Sequence, residues 1–126
     1  LKALAVLAVL AYLAAGHGLH TAAPRGSNQA TGQQLAAAQG WTGPQWDCLD
    51  QLWQHESGWR MVWNTQGSGA YGIPQALPAS KMAAAGPDWM TNPATQIRWG
   101  LGYIRAAYGT PCAAWAAWQS RNPHWY

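Results

Sequence analysis

Apolar residues recur at helical spacing over residues 43–57: Trp46, Leu49, Leu52 and Trp53 share one face, with Asp47, Asp50, Gln51 and Gln54 opposite. Thr42 stands as the cap of this predicted helix and Gln45 as its capping-box partner three residues on. A second, short helix is predicted over 77–85, opened by Pro78 and stopped by Gly86. Asn92-Pro93 then pairs a cap with a proline at the first helical position. It starts a helix over 92–108 with Ile97, Leu101 and Ile104 as its apolar stripe, ended by Gly109. Thr110-Pro111 repeats the same start signal for a last helix over 110–119. Between the first two helices, the run NTQGSGAYGIP reads as a loop or short hairpin. No stretch alternates with period two for long, so the expected fold class is mainly α.

The first 40 residues read differently. Lys2, a 13-residue apolar run from Ala3 to Ala15 and a small-residue exit match a secretory signal peptide or uncleaved anchor over 1–23. The run is short for a membrane span, which takes about 20 apolar residues. Residues 24–40 (PRGSNQATGQQLAAAQG) hold almost no large apolar side chain, so a flexible linker is expected there. All ten Trp fall from Trp41 onward, which places the folded domain at 41–126. A domain of that size builds one small core and benefits from a cross-link. In an oxidising, exported setting Cys48 and Cys112 are expected to pair, contributing about 2–4 kcal/mol. Two cysteines with no nearby His at ligand spacing fill no metal site.

Composition narrows the function classes. Charged residues are only 9% of the chain, against about 25% in ordinary domains. The net charge of +3 comes from seven scattered basic residues with no run for a phosphate backbone, so no nucleic-acid partner is expected. A nucleophile-elbow motif for Ser/His/Asp catalysis is also missing.

Only four acids occur: Asp47, Asp50, Glu56 and Asp88. Glu56, the sole glutamate, lies seven residues after Leu49 and three after Trp53, on the apolar side at the end of the first helix. A carboxyl partly wrapped in apolar groups loses solvation of its anion and its pKa rises, as a general acid near neutral pH requires. The same position equally suits a carboxylate at the core edge, held by Arg60 or Arg98. His55 lies about 100° round the helix from Glu56, on a flanking face.

Four segments follow in order: QHESGWR around Glu56, GAYGIPQALP over 69–78, TNPATQIRWGLGYI over 91–104 and AAWQS over 116–120. Together they resemble the lysozyme-like soluble lytic transglycosylases, most of all short secreted actinobacterial proteins with that domain. The resemblance covers about 46–126. It implies a small lysozyme-like, goose-type helical domain that cleaves the MurNAc-GlcNAc bond of peptidoglycan. It further implies Glu56 as the catalytic acid, with Ser57 supporting the helix end. Ser68, Tyr71, Gln75, Tyr103 and Trp118 would bind the sugar chain. The partner is peptidoglycan glycan strands. No cofactor is implied, and the protein is expected to be a secreted or envelope-associated monomer that meets a membrane only through residues 1–23.

The residue types agree in kind, since Tyr and Trp offer flat faces and a polar tip to sugar rings and the loop glycines let backbone approach a ligand. Trp46, Trp53, Trp99 and Trp115 are expected in the core, and His124 has no assigned role. Three positions depart from the family wording: Pro74 stands where Met is common, Arg60 where a small polar residue is usual, and Trp118-Gln119-Ser120 replaces a tyrosine motif. One glutamate suffices for transglycosylation because the nucleophile belongs to the substrate. A lysozyme-type hydrolase would need a second carboxylate, for which Asp88 is the candidate. A non-catalytic module that binds cell-wall glycan is the remaining alternative.

Overall fold

A computed structural model describes residues 26–126, and the predicted export segment at 1–23 lies outside them. The described chain is mainly helical. It runs α1 (Ser27–Ala38), α2 (Pro44–Glu56), a 3-10 helix (Ala79–Ala85), α3 (Pro93–Ala107) and α4 (Pro111–Ser120). No helix among the described residues is long and apolar enough to cross a membrane.

Helices α3 and α4 begin where their sequence signals lie. The Asn92 side chain accepts from the Ala94 N–H at 3.0 Å and the Thr110 hydroxyl from the Ala113 N–H at 3.2 Å, each followed by proline. Both caps satisfy N–H groups that have no partner within the helix. Helix α2 starts otherwise. Its cap is Gly43, with no side-chain hydrogen bond. Gln45 makes no capping box, and its Oε1 instead accepts from the Cys112 N–H at 3.0 Å, capping α4 across the interface. Beside it the Cys48–Cys112 disulfide joins α2 to α4, with Cα atoms 5.0 Å apart.

Leu49, Leu52 and Trp53 of α2 meet Ile97, Leu101 and Ile104 of α3 in a fully buried core that Ile73 and Ala114 complete. Of the tryptophans expected inside, only Trp53 is fully buried; Trp46 and Trp115 pack partly buried against this core, and Trp99 does the same against a smaller one. That smaller cluster holds Tyr71, Ala76, Ala79 and Met82 beneath the 3-10 helix.

The stretch between α2 and the 3-10 helix forms two isolated antiparallel bridges, Trp63 to Tyr71 and Tyr71 to Ala76. One tie to the helices is Gln96, fully buried, whose Oε1 accepts from Ile73 N at 3.0 Å and whose Nε2 donates to Trp89 O at 2.9 Å. Gly72 faces this amide: a Cβ there would stand 2.6 Å from Gln96 Oε1. The close approach this glycine permits is to the protein's own glutamine, not to a ligand.

The linker expected at 24–40 is replaced over most of its length by α1, and the packed unit therefore begins well before Trp41. Small and amide side chains, which give a sequence no apolar face, make the contacts directly. Gly32 lies under the Trp59 ring, where a Cβ would fall 2.4 Å from Cζ3. Ala36 is fully buried in the main core. Asn28 Nδ2 donates to Trp59 O at 3.0 Å and Gln29 Nε2 to Asp50 Oδ1 at 2.7 Å. Arg105 of α3 reaches Gln39 and lies 4.6 Å over the Trp41 ring.

This contact makes Gly32→Ala diagnostic. In a free linker the change is neutral, and in an unpacked helix it is favourable by about 1 kcal/mol. Against the Trp59 ring it should lower the unfolding free energy by about 1–2 kcal/mol in urea melts, since overpacking outweighs propensity.

Candidate active site

Glu56 closes α2, and the chain turns away at once. The Ser57 hydroxyl, buried, donates to Ile73 O at 2.7 Å and so pins the end of the helix to the Gly-rich loop. Arg60 turns back to donate to Ser57 O at 3.0 Å. The carboxylate accepts instead from the Trp118 indole N–H, with Nε1 2.8 Å from Oε1. The chain therefore presents an indole donor to the acid.

Burial raises the Glu56 pKa from its ordinary 4.5 to about 7; the Trp118 hydrogen bond and the neighbouring His55 pull it part of the way back. Loss of water around the anion outweighs both. His55 Nδ1 lies 2.7 Å from Gln51 O in its own helix, and its ring packs against Trp115 and Trp118. It flanks the acid, as its helical position implies.

Two cavities meet at Glu56. One, of about 400 Å³, extends over Arg60, Trp63 and Thr65. The other, of about 510 Å³, extends over Ser68, Leu77 and Tyr103 to the C-terminal residues Pro123–Tyr126. Glu56, Asn64 and Gln75 belong to both. Among the described residues no other Asp or Glu lines either lobe. Each lobe has the size of a ligand site and the mix of aromatic and amide groups such sites carry.

The structure brings Ser68, Gln75 and Tyr103 to this cleft with Glu56. Gln75 adopts a left-handed backbone, φ 56°, and its Nε2 donates to Val62 O and Gly72 O, both at 2.9 Å. Those two carbonyls orient the amide and leave Oε1 buried, with no hydrogen-bond partner among the described residues. Tyr103 stacks on Trp99 with planes 11° apart.

Two expected sugar contacts lie elsewhere. Tyr71 is buried in the smaller core, between Trp63 and Trp89, and its hydroxyl donates to Met90 O at 2.8 Å. Its polar tip is already used inside the protein. Trp118 reaches the acid rather than the cleft wall; its ring stacks on His124 and Trp115.

Asp88, the candidate second carboxylate, lines neither lobe. Its oxygens accept from Asn92 Nδ2 and Thr95 Oγ1, both at 2.7 Å, and these bonds, led by Asn92, hold its pKa below the ordinary value. It organises the start of α3. Asp50 accepts from Gln29 and from the Trp59 indole at 2.8 Å, on the side of α1.

Sequence reasoning missed the C-terminal strap and the two exposed indoles. His124, Trp125 and Tyr126 follow the last helix without periodicity, and only their aromatic density marked them. Tyr126 is the deepest: its hydroxyl accepts from Trp53 Nε1 at 2.9 Å and donates to Pro74 O at 2.7 Å. Burial, with the Glu56 charge adding to it, pushes this phenol well above its ordinary pKa of 10, so it stays protonated. No protein-family model, curated protein or solved structure matches the chain.

The raised Glu56 pKa has a stability consequence. Between pH 4.5 and about 7 the folded protein keeps a proton that the unfolded chain has released, so stability falls as pH rises through that window. A shift of this size corresponds to about 3 kcal/mol, reduced to about 2 by the water that still reaches the carboxyl. Glu56→Gln should therefore be more stable than the parent by about 2 kcal/mol at pH 8. At pH 4 the gain should vanish, as paired urea melts would show. Trp118→Phe removes the donor that favours the anion and should move the Glu56 titration above pH 7, read by carboxyl-carbon NMR.

Proposed function

We propose that the chain is a peptidoglycan lytic transglycosylase of lysozyme-like fold, exported to the cell envelope, with Glu56 as its single acid–base group. The observation that carries this reading is a half-buried carboxyl, pKa about 7, alone at the junction of two aromatic and amide-lined lobes. The four sequence segments that resemble this family add to it, and Glu56 stands in the first of them.

A lone acid of this kind suits the reaction. Protonated Glu56 gives its proton to the oxygen bridging N-acetylmuramic acid C1 to C4 of the next sugar. The C1–O bond breaks, and the leaving sugar departs with that proton as its 4-hydroxyl. Glu56, now a carboxylate, takes the proton from the muramic acid C6 hydroxyl while O6 bonds to C1. The 1,6-anhydro ring closes and the acid is restored, with no water consumed. Hydrolysis through a second carboxylate is disfavoured, because Asp88 is committed to Asn92 and Thr95.

Desolvation serves both halves of the cycle. It keeps the proton on Glu56 near neutral pH and leaves a carboxylate basic enough to take one back. Trp118, fixed between Trp115 and His124, holds one carboxylate oxygen in place.

On purified peptidoglycan the protein should release 1,6-anhydro ends, lighter by one water than hydrolysed ends in the product mass spectrum. Glu56→Gln should fold and lose activity by about a hundredfold or more. The parent rate should fall as pH rises above about 7, where the acid loses its proton. Solvent oxygen in the new reducing ends would mean hydrolysis, and a cell-wall zymogram without any cleared band would favour a binding module.

A further inference from the structure

Two tryptophans line the cleft with more than half their surface open. Trp63 is 53% exposed and lines the lobe that runs past Arg60; Trp125 is 56% exposed and lines the lobe that runs past Ser68. Glu56 belongs to both lobes, and each lobe holds one of the indoles. An indole left this open loses hydrophobic burial and has no folding reason to be rigid.

Both are nevertheless braced. The Trp63 ring packs on Tyr71 with centroids 4.5 Å apart, and Tyr71 is itself tied to Met90 O. The Arg121 guanidinium lies 3.5 Å from the Trp125 ring centroid. That guanidinium is held in turn: Nη1 donates to the Trp125 carbonyl at 3.2 Å and to the Tyr108 hydroxyl at 2.9 Å. A ring supported from one side by a fixed group presents its open surface with little entropy left to lose on binding. Flat apolar faces with polar neighbours suit the C–H faces of pyranose rings, and Asn64 and Gln66 supply amides beside them for acetamido groups.

We propose that Trp63 and Trp125 are stacking platforms for sugar rings, one in each of the two lobes that meet at Glu56, so that the cleft takes an internal segment of a glycan strand and cuts it endo. This inference rests on the reading of Glu56 as a glycosidase acid for its cutting mode, but not for the platforms themselves. An exo-acting cleft needs a wall beyond the bond it cuts. Here cavity extends from Glu56 into both lobes, and each carries a braced aromatic face.

The test uses the full chain in a Glu56→Gln background, with chitohexaose as the soluble probe and isothermal titration as the readout. Trp63→Ala and Trp125→Ala should each weaken binding by about tenfold, as for a central tryptophan in a binding site. Trp125→Tyr keeps a ring and should recover most of the affinity. Asp47→Ala, at an exposed position outside both lobes, should change nothing. Chitobiose occupies one side only, so it should respond to one of the two alanine variants and not the other. Unchanged chitohexaose binding in either alanine variant, with folding verified by circular dichroism, would overturn the proposal. With the parent protein, fragments of intermediate length should appear early from purified glycan strands. Disaccharides alone from the first minutes would overturn the endo assignment. If the parent cuts nothing while chitohexaose binding still needs both tryptophans, the platforms stand and the transglycosylase reading fails.

Discussion

The Trp53 indole is the constraint around which the rest of the molecule is arranged. It is fully buried, one turn before Glu56, and its N–H must find an acceptor inside the protein or cost several kcal/mol. The Tyr126 hydroxyl supplies it, and the same hydroxyl donates onward to Pro74 O. One three-member chain of hydrogen bonds thus ties α2, the C-terminal strap and the Gly-rich loop together immediately beside the acid. The ring itself takes Trp59 edge-on at 5.2 Å, and α3 approaches it closely because Gly100 carries no side chain, where a Cβ would lie 2.5 Å from Cζ2.

That arrangement explains how so small a domain keeps an uncomfortable carboxyl. Glu56 is held where its anion is poorly solvated, which lowers the stability of the fold as pH rises towards about 7 and keeps the carboxyl protonated below that pH. The other acids near the packed helices, Asp50 and Asp88, do structural work, accepting hydrogen bonds that fix α1 and the start of α3. In a chain with only four acidic residues, three are outside the cleft and the fourth is alone in it. The disulfide secures α2 against α4, whose Trp118 steadies the carboxylate.

The cleft is assembled from segments far apart in sequence. Glu56 ends a helix, Gln75 sits on a strained turn of the loop, Tyr103 faces in from α3, and the strap closes the far side after α4. Buried Gln96 holds the loop at the right height over α3, and Ser57 holds it against α2. The positions of Ser68 and Gln75 relative to the acid therefore depend on hydrogen bonds from Gln96, Ser57 and Tyr126 to loop backbone.

What the sequence determined by itself was local. Asn92-Pro93 and Thr110-Pro111 mark helix starts because caps act within three residues, and the apolar stripes of α2 and α3 follow the helical period. The face and position of Glu56 come from the same period, and the cysteine pairing follows from there being only two. Tertiary structure decided everything that depends on a distant partner. Helix α1 looked like linker because glycine, alanine and amides show no apolar face until Trp59 is laid over them. Tyr71 and Asp88 carry the right chemistry for a site, and only their hydrogen bonds to Met90, Asn92 and Thr95 reveal that it is already used. The strap at 121–126 has no period to read, and its role depends on a hydroxyl that meets Trp53 across 73 residues of chain. Capping and amphipathicity are properties of neighbours in sequence, whereas close packing and hydrogen-bond satisfaction are settled only when remote segments meet.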